Sequence, residues 1–172
     1  VSSAGDVNGD GYDDVIVGEP EYFNSPSPGN AYIFFGGVAM NNISDVTLTG
    51  EAVNDYFGRS VSSAGDVNSD GFDDVITGAR GPGSGRGKAY IFYGGINMNN
   101  TSDVIMIGES IDNYFGTSVS SAGDLNGDGF SDVIIGADYA SITGKAYVFF
   151  GGAAMNNIVD VTLTGEAVNN YF

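Results

Sequence analysis

The chain has 172 residues, 22 of them acidic against 5 basic, for a formal net charge of −17, and it contains no Cys, His or Trp. So acidic a surface repels nucleic acid and anionic membranes. The missing Cys and His remove disulfides, thiolate metal sites, the usual zinc ligand and the usual general base near neutral pH.

In chain order, residues 1–5 (Val-Ser-Ser-Ala-Gly) lead straight into an acidic loop, residues 6–14, with the pattern Asp-x-Asn-x-Asp-Gly-aromatic-x-Asp. Residues 14–18 and 31–35 are short, β-branched or aromatic, and apolar on both faces. They read as strands sandwiched between neighbouring sheets. Residues 19–29, with Pro20, Pro26 and Pro28, read as a loop between them. Met40 stands before Asn41 and Asn42 in a turn and is expected to plug the core beneath it. Residues 46–49 (Val-Thr-Leu-Thr) alternate, as a strand with one wet face should. Tyr56, Phe57 and Gly58 then open a second round of the same elements.

The unit recurs in tandem. Residues 1–6 return as 61–66 and 119–124, residues 31–37 as 89–95 and 146–152, and residues 45–51 as 160–166 and more loosely as 103–109. Met98 and Met155 repeat Met40. The aromatic residues Tyr32, Phe34, Phe35, Tyr90, Phe92, Tyr93, Tyr147, Phe149 and Phe150 recur at strand spacing, which points to packing between sheets. Tyr114, Phe115 and Gly116 repeat residues 56–58, and Tyr171 and Phe172 begin the pattern again. Phe-Gly-x-Ser-Val would join the two ends with only Gly-x-Ser missing. The expectation is a segment that starts and stops inside one strand, either a window of a longer array or a closed ring. About four short strands in each unit of nearly 60 residues predict an all-β chain of β-propeller blades.

The acidic loop carries the chemistry. Its copies begin at Asp6, Asp66 and Asp124, 60 and 58 residues apart. In a tightly curled loop alternate positions point inward, so the first copy offers Asp6, Asn8, Asp10, the carbonyl of Tyr12, and Asp14. The second offers Asp66, Asn68, Asp70, the Phe72 carbonyl and Asp74; the third offers Asp124, Asn126, Asp128, the Phe130 carbonyl and Asp132. Gly11 permits the sharp turn. A shell of hard oxygens without nitrogen or sulfur suits Ca²⁺, which takes six to eight ligands at about 2.3–2.6 Å, better than Mg²⁺ with its rigid octahedron. One ion in each repeat, three in total, would bring the net charge from −17 to −11, at two charges each. The eighth position varies (Asp13, Asp73, Ser131), as a residue pointing away from the ion is free to do.

Phe57 with Gly58, the Asp-x-Asn-x-Asp-Gly loop, and Gly18-Glu19-Pro20 resemble the FG-GAP repeats of integrin α-subunit propellers and their bacterial relatives. The resemblance covers the chain three times over. It implies blades at residues 1–57, 58–115 and 116–172, with calcium in the loop between the first two strands. Gly78-Ala79-Arg80 and Gly136-Ala137-Asp138 depart from the Gly-Ala-Pro element in a loop after the second strand and leave the metal ligands intact.

Function is expected to be structural: a calcium-stiffened scaffold for adhesion or assembly, extracellular or on the cell surface. Calcium near millimolar there would fill sites of about 10⁻⁴–10⁻³ M. No Ser-His-Asp set, phosphate loop or catalytic metal constellation stands apart from the repeats, so no enzyme is expected. The expected partners are further repeats of the same chain or identical copies packed head to tail into a ring or filament, with glycans or surface proteins as ligands and no membrane insertion. Two other readings stay open, a carbohydrate-binding propeller and an accessory domain of a larger secreted hydrolase. Asn42, Asn99 and Asn100 fit the N-glycosylation pattern.

Overall fold

The computed structural model describes residues 1–21, 27–81, 85–139 and 143–166. Twelve strands run through them: β1 (Ser2–Gly5), β2 (Asp14–Glu19), β3 (Asn30–Phe34), β4 (Val46–Thr49), β5 (Phe57–Gly65), β6 (Asp74–Ala79), β7 (Lys88–Phe92), β8 (Val104–Ile107), β9 (Phe115–Gly123), β10 (Asp132–Ala137), β11 (Lys145–Phe149) and β12 (Val161–Thr164). They form three four-stranded antiparallel sheets, each a meander in chain order: β1-β2-β3-β4, β5-β6-β7-β8 and β9-β10-β11-β12. The three sheets match the three repeats, as expected of propeller blades, with Phe57 and Phe115 opening the second and third sheets. No helix among the described residues is long and apolar enough to cross a membrane.

Side-chain alternation explains how the sheets stack. With a period of two, each strand sends one set of residues to either face. On the first sheet Ala4, Ile16, Ala31, Ile33, Val46 and Leu48 point one way and pack against Phe57, Val75, Ala79, Tyr90 and Phe92 of the second. The opposite face of the second sheet presents Ala64, Ile76, Ala89, Ile91, Val104 and Met106 to Phe115, Val133, Ile135, Ala137, Tyr147 and Phe149 of the third. The middle sheet is therefore covered on both sides, and every residue of β6 is buried. The outer sheets are covered less completely: Tyr32 and Phe34 lie half-buried on the first, and on the third Ala146 and Val148 are buried while Val161 and Leu163 are exposed. The equivalents of Tyr32 and Phe34 in the other two sheets, Tyr90, Phe92, Tyr147 and Phe149, are closed off. The rings of Phe57 and Tyr90 meet edge-on at 5.3 Å, as do Phe115 and Tyr147, tilted, at 5.4 Å.

The methionines follow the same logic with one correction. Met98 packs into the seam between the first two sheets and Met155 into the seam between the second and third. Met40 does not plug anything: it is 50% exposed. The plug reaches toward the preceding sheet, and among the described residues no sheet stands on that side of the first.

Backbone approaches set the spacing between sheets. A methyl group on Gly18 would overlap the Gly58 carbonyl oxygen, and one on Gly78 would overlap the Gly116 carbonyl oxygen and the Ser60 hydroxyl. The Phe-Gly dipeptide that opens β5 and β9 thus lies directly on a glycine of the sheet before. Arg80 adds a clasp, its guanidinium 5.4 Å from the Tyr56 ring and 5.1 Å from the Tyr114 ring. The loops at residues 19–29, 80–88 and 138–145 differ most between repeats. Residues 22–26, 82–84 and 140–142 within them, and 167–172 with the Tyr171–Phe172 recurrence, lie outside the described residues.

This packing predicts an asymmetry between equivalent glycines. Gly78→Ala forces two backbones apart and should lower the unfolding free energy by about 1–3 kcal/mol. Gly136→Ala meets closely only the Ser118 hydroxyl, which rotates aside, so it should cost distinctly less. Urea unfolding of the two variants measures the difference; equal losses would contradict stacking through the Gly78–Gly116 contact.

Candidate metal centre

Each acidic loop joins the first strand of its sheet to the second, so the strand pair holds the loop at both ends. Inside it, the first Asp organises the turn. Asp6 Oδ1 accepts from the amides of Gly9 (2.8 Å) and Asp10 (3.0 Å), and Oδ2 accepts from Gly11 (2.9 Å). Asn8 Oδ1 accepts from the Asp10 amide at 2.8 Å, and its Nδ2 donates to Asp10 Oδ2 at 3.1 Å. Asp10 Oδ1 accepts from the Tyr12 amide at 3.0 Å. The pattern returns on Asp66, Asn68 and Asp70 and on Asp124, Asn126 and Asp128. Gly11, Gly71 and Gly129 take φ of 90°, 93° and 91°, the left-handed turn anticipated for that position.

The last Asp of each loop does a different job. Asp14, Asp74 and Asp132 are buried. Asp14 Oδ2 accepts from the Val7 amide at 2.9 Å and Oδ1 from the Gly36 amide at 2.7 Å. Asp74 does the same with Val67 and Gly94, both at 2.8 Å, and Asp132 with Leu125 and Gly151. This carboxylate latches the loop to the turn after the third strand. Burial pushes the Asp14 carboxyl above its ordinary value, helped by Asp10 and Asp6 and opposed by the two amides. The deeper Asp74 is pushed up to about 7, chiefly by burial, with Asp70 and Asp66 adding to the rise.

The donor set fits a hard cation. Each loop gathers three carboxylates and one amide oxygen, and no amine or imidazole among them. A carboxylate oxygen has two acceptor sites, so after the internal bonds Asp6 Oδ2, Asn8 Oδ1, both oxygens of Asp10 and both of Asp14 still have one left. Among the described residues no three carboxylates form a compact metal-holding group by themselves; they are strung along the loop, with Asp14 at its base. The buried carboxylate at the base and the two on the loop add to each other's negative field, a charge that a cation would offset.

The eighth loop position explains itself here. Asp73 points away from its own loop and accepts from the Asp6 amide of the preceding one at 3.0 Å, while its own amide donates to the Asp6 carbonyl at 3.1 Å. Ser131 donates its amide to the Asp66 carbonyl at 3.0 Å. Gly95 and Gly152 donate to the carbonyls of Val7 and Val67. Successive loops are thus tied into one row. The third loop has no successor among the described residues, and residues 123–129 are all exposed.

Sequence reasoning missed a second polar set. Glu51, in the turn after β4, accepts from Lys88 Nζ and, at 3.2 Å, from the Tyr90 hydroxyl. Glu109, after β8, accepts from Lys145 Nζ at 2.8 Å and the Tyr147 hydroxyl at 3.0 Å. These bonds hold both carboxyls below the ordinary glutamate value, the lysine being the first cause in each. The signal was present: two of only five basic residues fall at the same repeat position.

Comparison with known proteins agrees with the repeat pattern. The FG-GAP repeat profile matches residues 1–34, 57–92 and 115–149. Human integrin alpha-6 is 30% identical over 167 residues, 95% of this chain and 14% of that protein. Integrin alpha-6 of Gallus gallus is 36% identical over 137 residues, 77% of this chain and 12% of the relative, and integrin alpha-5 of Xenopus laevis 34% over 147 residues, 78% and 14%. The chain therefore spans about one seventh of the length of these relatives.

The raised Asp74 pKa yields a test with a definite sign. A carboxyl whose folded pKa lies above the unfolded 3.8 adds stability below pH 3.8 and loses it as pH rises through about 7. In chelator the parent chain should therefore lose stability between about pH 5 and pH 8, and Asp74→Asn, which cannot ionise but gives up one of the two amide hydrogen bonds from Val67 and Gly94, should lose less over the same interval. Thermal melts of both chains in chelator at the two pH values measure the difference in slope; equal slopes would contradict the raised pKa.

Proposed function

The chain belongs to the FG-GAP repeat family, and from that membership and the geometry of its acidic loops we propose that it is a calcium-stabilised scaffold for adhesion, working outside the cell or on its surface. The observation that carries this reading is the threefold recurrence of one oxygen-rich loop, tied at its base to its own sheet and at its eighth position to the loop before. An ion held there bridges the first two strands of a blade and neutralises charge along the row of loops. It acts as a fastener, in a chain that has no disulfide to do the work. The three ions are assigned to Asp6, Asn8, Asp10 and Asp14, to Asp66, Asn68, Asp70 and Asp74, and to Asp124, Asn126, Asp128 and Asp132, with the carbonyls of Tyr12, Phe72 and Phe130. The resemblance to integrin α-subunits supports adhesion as the role and a non-enzymatic one. The variable loops at residues 19–29, 80–88 and 138–145 are the surfaces on which a surface protein or glycan would be read.

Calcium titration followed by thermal melting tests the fastener. Saturating calcium should raise the melting temperature, with half-effect near 10⁻⁴–10⁻³ M (about the range of extracellular modules), and Asp10→Ala should weaken binding at one of three sites. A melting curve indifferent to excess chelator would overturn the calcium assignment. Adhesion is read separately, by attachment of cells to the immobilised protein with calcium and by a glycan array. Binding confined to the array would favour a carbohydrate-binding propeller instead.

A further inference from the structure

The acidic loops carry a chemistry that cation binding does not use. Asn8-Gly9 in the first loop and Asn126-Gly127 in the third are the Asn-Gly pairs of this chain, and the second loop has Asn68-Ser69 in their place. Asparagine followed by glycine is prone to lose its side-chain amide. The next backbone nitrogen attacks the side-chain carbonyl carbon, and glycine has no Cβ to hinder the approach. A five-membered succinimide closes, ammonia leaves, and water opens the ring to aspartate or isoaspartate.

The folded loop sets the groups this reaction needs around both pairs. The attacking nitrogen must give up its proton. The Gly9 amide donates to Asp6 Oδ1 at 2.8 Å and the Gly127 amide to Asp124 Oδ1 at 2.7 Å, so a carboxylate stands at that proton as a base. Negative charge then develops on the side-chain oxygen. Asn8 Oδ1 already accepts from the Asp10 amide at 2.8 Å, and Asn126 Oδ1 from the Asp128 amide at 2.9 Å. The leaving nitrogen is met as well: Asn8 Nδ2 donates to Asp10 Oδ2 at 3.1 Å and Asn126 Nδ2 to Asp128 Oδ2 at 2.8 Å. Gly9 and Gly127 are exposed, so water reaches the ring. In the second loop Asn68 keeps both bonds to Asp70. Asp66, however, accepts from Asp70 and Gly71 and, among the described residues, not from Ser69. That loop lacks both the glycine and the base.

We propose that Asn8 and Asn126 are self-modifying positions, at which the ion-free loop converts asparagine to aspartate and isoaspartate well ahead of Asn68. The bond from the glycine nitrogen to Cγ forms and the bond from Cγ to Nδ2 breaks. The proton taken from the glycine amide ends on the departing ammonia, and one water is consumed in opening the ring. The consequences rest on the calcium reading above. The aspartate product puts a carboxylate where the ion is assigned an amide oxygen and adds a negative charge to the loop. The isoaspartate product runs the main chain through the side chain, which lengthens the backbone by a methylene and displaces Asp10 or Asp128 from its bonds to the first Asp of the loop. The first and third fasteners therefore age while left empty, and the second persists.

Trypsin cuts after Arg59, Arg80, Arg86, Lys88 and Lys145, so the three loops fall on separate peptides, 1–59, 60–80 and 89–145. The chain is held at neutral pH in chelator, folded and, in parallel, unfolded in urea, and then digested. Fragmentation mass spectrometry places the mass gain of amide loss, and enzymatic methylation reads isoaspartate. In urea Asn8 and Asn126 should already lead Asn68, through glycine alone. In the folded chain that lead should widen several-fold. Asp124→Asn should slow Asn126 several-fold relative to Asn8 of the same molecule, while the two stay level in urea. A lead no wider in the folded chain than in urea, or an Asp124→Asn chain whose Asn126 keeps pace with Asn8, would overturn the proposal. The first comparison uses the unsubstituted chain and stands even where the substituted loop fails to close. Repeating the incubation in saturating calcium separates this result from the calcium reading. An ion on these oxygens should slow both positions, whereas loops that hold no calcium give equal rates in calcium and chelator with the folded lead intact.

Discussion

Burial of both faces of each sheet is the constraint on which the rest of this structure depends. A four-stranded sheet with apolar residues on either side has no stable existence alone in water, and here the remedy is another sheet of the same kind. Every special feature of the chain serves that contact. The glycines at positions 18 and 78 let backbones close to touching distance, Met98 and Met155 fill the seam under a turn, and Phe57 and Phe115 enter it as wedges. The degree of burial along the chain follows directly: complete in the middle, partial at either side.

Polar groups mark the two margins of each seam. On one margin the acidic loops run in a row, each tied to the next through its eighth position. On the other, a glutamate from one sheet takes a lysine and a tyrosine from the next. The two devices differ in kind. Among the described residues the loops carry carboxylates with no basic partner, for which calcium is the proposed counter-charge, whereas the glutamate finds its cation within the protein. An ion pair this exposed contributes little to stability. Both devices nevertheless join one sheet to the next, the loops through their eighth position and the glutamates through lysine and tyrosine.

Much of this was legible in the chain. The strands at residues 14–18, 31–35 and 46–49 lie within a residue of those observed, because short β-branched runs between Gly and Asp turns allow few alternatives. The loop ligands were legible because their order is local: side chain, turn and acceptor sit within nine residues. Three things escaped. Met40 was read as its repeats were, although among the described residues its seam has only one wall. The last Asp of the loop was read as a ligand alone, when it also latches the loop to the turn after the third strand. The glutamate set was not read at all, since its members lie 36 to 39 residues apart in different sheets.

The sequence by itself determined the repeat, the strand pattern, the oxygen-rich loops and the family, since each is set by residues near one another along the chain. Tertiary structure decided how equivalent residues come to differ. Asp73 turns its carboxylate to the neighbouring loop, Met155 is buried where Met40 is bare, and Glu109 is engaged where Glu166 is open. Identical local sequence fixes identical local geometry; what stands across the seam decides whether a side chain is covered, paired or free.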